Sequence, residues 1–246
     1  MYIGVDGCPA GWIAVWYDDN DGYVDTARYT EIEELWAARQ ETAETILIDV
    51  PIGLRETSNA KRPCDDAARN VLGHPRSSSV FPVPVRAAVQ EDSYEAAKDT
   101  QETRTDGSLS TQAWAIAEKI EELDTFLRTE QPEAQGVIRE AHPEVCLWAL
   151  NDEQRAVYSK TSQAAAAFSE RVDILESADP DVLTHIHNAS RDLDADVSLD
   201  DVIDAFALAL TASPQTGDLQ TLPRQPTDDS GDPQGLPMEM VYAHST

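Results

Sequence analysis

The stretch from Leu199 to Leu210 does most to limit what this chain can fold into. Its pattern is helical, and from Val202 to Leu210 every residue is apolar except Asp204. A helix that is apolar all round belongs in a core. Burying an unpaired carboxylate costs several kcal/mol unless it takes up a proton, so Asp204 requires a partner, and a cation is the natural one. Asp201 and Asp200 precede it by three and four residues and can share its face. Ser198 as a cap, with Asp200 and Asp201 complementing the helix dipole, accounts for those two acids. It leaves Asp204 unexplained.

A chain of 246 residues with 41% hydrophobic content can bury a sizeable core. Residues 2–5, 12–17 and 23–29 read as three successive strands, with Asp18-Asp19-Asn20-Asp21-Gly22 as a turn between the last two. Residues 31–39 carry Ile32, Leu35 and Trp36 on one helical face. Residues 45–50 form a buried strand, halted by Pro51 and Gly53, and the crossover helix sets it parallel beside the first strand. Further helices are expected at Pro63–Leu72, 94–103, 143–150, 162–177 and 199–212. A longer amphipathic helix carries Ile116, Ile120, Leu123 and Leu127 at helical spacing. Residues 137–140 read as a short strand, residues 77–84 as a loop, and 238–243 as a last strand returning to the sheet. Pro, Gly, Asp, Gln and Thr dominate 213–235, the composition of an exposed linker.

Asp6 and Asp49 close the first and fourth strands, at the carboxyl ends where α/β proteins place their sites. Neighbouring strands lie about 4.8 Å apart. Two carboxylates at such ends can hold metal ions about 3.5–4 Å apart, the spacing used in two-metal phosphoryl chemistry. Each acid alone also fits a turn aspartate, but Asp6, Asp49 and Asp204 together point to one site.

The charge balance weighs on any nucleic-acid partner. There are 46 acidic against 18 basic residues, a net charge of -28, and arginine outnumbers lysine 14 to 4. Such a chain repels itself in dilute buffer, and at about 1 M salt a Debye length of about 3 Å removes most of that repulsion. An acidic, lysine-poor surface therefore fits a halophile. The one basic island is Arg55, Lys61, Arg62, Arg69, Arg76 and Arg86, which face only Glu56, Asp65 and Asp66. It suits phosphate contacts, and charge pairing along a helix and loop accounts for it as well. Cys8, Cys64 and Cys146 are widely spaced and read as reduced, buried thiols. No run approaches the roughly 18 apolar residues of a membrane span, and the N-terminus lacks the features of a signal peptide. A cytoplasmic protein is expected.

Several ordered motifs resemble a known family. They are Gly4-Val5-Asp6-Gly7-Cys8-Pro9-Ala10-Gly11-Trp12, Ile48-Asp49-Val50-Pro51-Ile52-Gly53-Leu54, the stretch from Ser77 to Arg86, Glu140-Ala141-His142-Pro143-Glu144, Ser159-Lys160, and Asp200 to Ala205. Together they resemble an uncharacterised family of predicted RNase H-like nucleases, domain of unknown function 429. The likeness runs from Met1 to about Ala212 and takes in Met238 to Tyr242. The aspartate helix is also similar to the terminal helix of Holliday-junction resolvases. The resemblance implies an α/β, RNase H-like mixed sheet, with three antiparallel strands followed by parallel ones, helices on both faces and a helical insertion. The expected organisation is a single domain over 1–246, with the insertion at about 55–135 and a flexible linker at about 213–236. By this likeness Asp6, Asp49, Asp201 and Asp204 take four acidic metal-binding roles.

The functional expectation is a divalent-metal-dependent nuclease. Asp6, Asp49, Asp201 and Asp204 would hold two Mg²⁺ or Mn²⁺ ions, with Glu140 as a further ligand and His142 and Glu144 nearby. Arg76, Ser78, Arg86 and Lys160 would contact the phosphate of nucleic acid or of a small phosphodiester. A sugar-kinase-like ATP site would need a second glycine-rich loop. After Gly73 only Gly107, Gly136, Gly217, Gly231 and Gly235 remain, and they form none. A non-catalytic binding or scaffold protein that keeps the fold is the competing reading.

Overall fold

A computed structural model of the protein describes residues 1–57, 61–193, 197–225 and 231–245. The described chain divides into two compact units. One comprises 1–49, 136–220 and 241–246, and the other 50–135 and 221–240.

The first unit opens with the meander β1 (Tyr2–Cys8), β2 (Gly11–Asp18) and β3 (Gly22–Tyr29), followed by α1 (Ile32–Arg39) and β4 (Thr45–Ile48). β1 and β2 pair antiparallel, as do β2 and β3, while β4 pairs parallel to β1 with Val5 opposite Ile48.

The chain then builds the second unit. Its helices are α2 (Pro63–Leu72), α3 (Arg86–Val89), α4 (Tyr94–Arg104), α5 (Thr111–Ala115) and α6 (Ala117–Thr125). The single helix expected through Ile116 is two pieces. Ile116 leaves helical geometry at φ -114° and ψ 8°, and α5 packs Ala113 with Ala97 of α4 and Leu109. The apolar spacing marked the buried residues Ile120, Leu123 and Leu127 correctly but not the break at half-buried Ile116.

Arg86 is the node of the second unit. Its Nε and Nη2 donate to the two oxygens of Asp124, each at 3.0 Å. Nη1 donates to Glu56 at 2.6 Å, and Nη2 donates again to Asp232. Asp124 also accepts from Arg128 at 2.8 Å, and Asp232 from the Leu54 N–H at 3.1 Å. The guanidinium is buried, so its role is to hold α3, α6 and the returning segment together. This corrects its expected use as a phosphate contact. Three more members of the basic island are engaged within the second unit. Buried Arg62 pairs with Asp65 at 2.7 Å, Arg69 donates to the Val80 carbonyl at 3.0 Å, and Lys61 lies 3.6 Å from Asp66.

The chain returns to the first unit through β5 (Ile138–Glu140), α7 (Pro143–Leu150), α8 (Ala164–Leu175), α9 (Val182–Asp192) and α10 (Leu199–Ala212). β5 pairs parallel to β4, giving a five-stranded mixed sheet in the order β3-β2-β1-β4-β5. The segment expected as a linker contains β6 (Leu219–Leu222), which pairs with β7 (Met240–Ala243). Ser213, Thr216, Leu222, Asp232 and Leu236 in that segment are buried. Its residues 226–230, and 58–60 of the expected insertion, lie outside the described residues. Among the described residues β7 meets the large sheet through a parallel bridge between Ala141 and Val241.

α10 lies directly on β1. A Cβ built on Gly4 would sit 2.1 Å from the Ala205 carbonyl oxygen and 2.2 Å from the Ala209 nitrogen, so only glycine permits this approach. The rest of α10 is covered by side chains of α7, α8 and α9, with Leu147, Val172, Leu175, Val182 and Ile186 packed around it, and by Ile13, Val15 and Tyr17 of β2. This enclosure explains an apolar pattern on all sides. All three cysteines are buried and unpaired with one another. Among the described residues no helix is long and apolar enough to cross a membrane.

Gly4→Ala should cost about 3 kcal/mol or more, because backbone on a buried helix cannot retreat as a flexible side chain can. Denaturant unfolding reads this directly, with Gly231→Ala, which meets nothing within 4 Å, as the control. Arg86→Ala should cost about 3–5 kcal/mol by leaving buried carboxylates unpaired. A denaturation midpoint equal to wild type would contradict the assignment of Arg86 as the node.

Candidate metal centre

The parallel register of β1 and β4 sets the first pair of acids side by side. Val5 lies opposite Ile48, and the Asp49 N–H donates to the Val5 carbonyl at 3.0 Å. The ladder therefore continues one residue, bringing Asp6 and Asp49 to the same rank on the same face. Gly4 and Leu47 precede them on that face, the one that carries α10. The close approach at Gly4 fixes the helix, and Asp204 stands immediately before Ala205, the residue whose carbonyl touches Gly4. Asp201 lies one turn earlier.

The four carboxyls interact. Asp6 is held well above the ordinary carboxylate range, first by burial and then by repulsion from Asp49, Asp204 and Asp201. The Gly7 N–H, donating to Oδ1 at 2.7 Å, partly opposes this. Burial, with repulsion from Asp204 and Glu144, pushes Asp49 up to about 6 against the pull of His142 and Lys160. Asp204 is raised by burial, while its ion pair with Lys160 works the other way.

Three basic groups temper this cluster. Lys160 Nζ donates to Asp204 Oδ2 at 2.6 Å. Arg171 of α8, wholly buried, is ion-paired with Glu144 of α7 and donates to the Ala167 carbonyl at 3.2 Å. The third is His142, the N-cap of α7, whose Nδ1 accepts the Glu144 N–H at 3.2 Å, so the neutral ring carries its proton on Nε2. Arg171 was missed in the sequence. Its signal was an arginine on the apolar stripe shared by Ala167, Ile174 and Leu175.

Asp204 Oδ1 is buried and accepts no hydrogen bond. A buried carboxylate oxygen with no donor is expensive, and here it stands amid other carboxylates. The side chains of Asp6, Asp49, Asp201 and Asp204 offer only carboxylate oxygens, the donor type that hard divalent cations take. Asp201 is partly committed elsewhere. It closes a capping box, its N–H donating to Ser198 Oγ and its Oδ2 accepting the Ser198 N–H, each at 3.1 Å. The capping explanation thus holds for Asp201, although its charge still reaches Asp6.

The remaining expected site residues are placed as follows. Glu140 is buried, but it lies opposite Ile48, so strand alternation aims it at the sheet face away from Asp6 and Asp49. Its register thus sets it apart from Asp6 and Asp49. Ser78 Oγ donates to the Pro75 carbonyl at 2.8 Å in a short 3₁₀ turn that also holds Arg76. Of the four expected phosphate residues, Lys160 alone is bonded to an acid of the quartet. Burial pushes the Cys146 thiol up to about 12, away from nucleophilic use.

Asp6, Asp49 and Asp204 are raised in the fold relative to the unfolded chain. They therefore favour folding at low pH, and that stability is lost as pH rises through the folded values, near 6 for Asp49,. Metal-free Asp6→Asn should melt higher than wild type at pH 8 and alike at pH 4. A lower melting temperature for the variant at pH 8 would contradict the repulsion.

No curated protein and no solved structure matches the chain. The model of one family covers residues 4–228, and the chain belongs to that family, described as a protein of unknown function (DUF429).

Proposed function

We propose that the first unit carries a divalent-metal centre that hydrolyses phosphodiester bonds, and that the protein is an RNase H-like nuclease. The observation that carries this reading is the buried, unpartnered Oδ1 of Asp204 beside Asp6, Asp49 and Asp201. The sheet order supports it: three antiparallel strands lead into parallel ones, with acids at the ends of β1 and β4 and a late helix supplying two more.

Bound Mg²⁺ or Mn²⁺ would supply an activated water and neutralise the leaving oxygen. Asp6, central to the repulsion, would hold the metal together with Asp49 and Asp204. Asp204 would offer Oδ1, the oxygen that Lys160 does not hold in the metal-free protein. Asp201 would offer the oxygen not used in its capping box. His142 lies close enough to Asp49 to lower its pKa, so a protonated ring would favour the ionised carboxylate. Arg171 and Glu144, locked together behind the quartet, hold α7 and α8 in place.

The net charge of -28 disfavours long duplex tracked through its backbone,. With Arg86, Arg62 and Arg69 spent on internal pairs, a short, structured or small phosphodiester suits the site better. An acidic, lysine-poor surface also suits work in concentrated salt.

The test is hydrolysis of bis(p-nitrophenyl) phosphate and of short DNA and RNA oligonucleotides at about 1 M KCl. Rates should require Mg²⁺ or Mn²⁺ and fall on the order of 10³-fold in Asp6→Asn and Asp204→Asn. No metal-dependent turnover on any of these substrates would favour the non-catalytic binding protein instead.

A further inference from the structure

The two cations beside the quartet are built differently. Arg171 is sealed in the core, paired with Glu144 and bonded to the Ala167 carbonyl, and has nowhere to go. Among the described residues the Lys160 ammonium is bonded to Asp204, and its side chain is 26% exposed. Two of its three N–H groups remain for another acceptor.

Its backbone is clamped on both sides. The Val157 and Tyr158 N–H groups donate to the Glu170 carboxylate of α8 at 2.7 and 2.9 Å. Just after it, the Thr161 and Ser162 N–H groups donate to Ser159 Oγ, each at 3.3 Å. A long flexible side chain on a pinned base can swing its head without moving the loop. Its head rests on the same carboxylate whose other oxygen is buried without a donor.

We propose that Lys160 is the site's displaceable counter-ion: its ammonium holds Asp204 in the metal-free protein, yields that carboxylate to an arriving divalent ion, and swings to a phosphate oxygen at the mouth. The inference rests on the metal-centre reading above and adds a loading order to it. A divalent cation brings two charges where lysine brings one, and it accepts several carboxylates at once. The ammonium, released beside bound ions, is repelled by them and attracted by a phosphate. Lys160 would thus couple metal loading to capture of a phosphorylated ligand. No bond is made or broken on it, so it is a positioning residue.

With only four lysines in the chain, each can be followed separately. Reductive methylation of the folded wild type, resolved by peptide mass, should modify Lys160 slowly without metal. Saturating Mn²⁺ should speed it by roughly tenfold, the scale of releasing a partly buried ion pair. Adding inorganic phosphate with Mn²⁺ should slow it again, while Lys61, Lys98 and Lys119 keep their rates throughout. In parallel, Lys160→Met should bind Mn²⁺ several-fold more tightly than wild type, and Lys160→Arg should bind it about as wild type does.

Unchanged Lys160 labelling, in a protein whose Mn²⁺ binding is lost in Asp204→Asn, would overturn the displacement and leave the metal centre standing. Weaker Mn²⁺ binding by Lys160→Met would also overturn it, by making the lysine a support rather than a competitor. Absence of Mn²⁺ binding sensitive to Asp204→Asn would overturn both readings.

Discussion

The site depends on how closely α10 can approach β1. Gly4 has no side chain, and the Ala205 and Ala209 backbone occupies the space where one would be. That contact sets the height of the helix over the sheet and hence the position of Asp204. Helix and strands thereby bring Asp49, Asp201 and Asp204 close enough to Asp6 for their charges to act on it. Were the helix held off by the width of a methyl group, Asp204 would be displaced from the rank that Asp6 and Asp49 share. A backbone packing constraint thus becomes an electrostatic one.

Gathering those acids costs stability, and the first unit counters it with cations of its own. Lys160 takes one oxygen of Asp204, and Arg171 takes Glu144 behind it. The remaining repulsion is visible in the raised carboxyls of Asp6, Asp49 and Asp204. The second unit handles the same problem by full pairing, with Arg86 and Arg128 set among Glu56, Asp124 and Asp232. The contrast between a completed charge network and an uncompleted one separates structural acids from candidate ligands. In a chain with 46 acidic residues, that distinction cannot be drawn from composition.

Much of the first unit was legible in the sequence because its signals are local. Alternation and turns mark β1 to β4, and the apolar run from Val202 to Leu210 marks α10 together with its odd acid. Asp6 and Asp49 were read from strand ends and Asp204 from the apolar helix, while Asp201 joined them through the family resemblance. Other features were not local. Arg86 reads as a free cation until Asp124 and Asp232 are folded onto it from 38 and 146 residues away. Glu140 reads as a ligand until strand register sends it to the opposite face. The α9 helix was missed, its apolar residues Val182, Ile186 and Ala189 being few and followed by polar sequence. Arg171 carried only a faint signal, an arginine on the apolar stripe of α8, and its partner Glu144 lies 27 residues away.

The measurement that bears most directly on the account is calorimetric Mn²⁺ binding at about 1 M KCl, comparing wild type with Asp6→Asn and Asp204→Asn. Surface acids bind alike in all three proteins, so only the difference matters. The account predicts that both variants lose the same one or two tight sites. Equal stoichiometry and affinity in all three would contradict it, leaving the quartet as a strained structural cluster with no metal to hold.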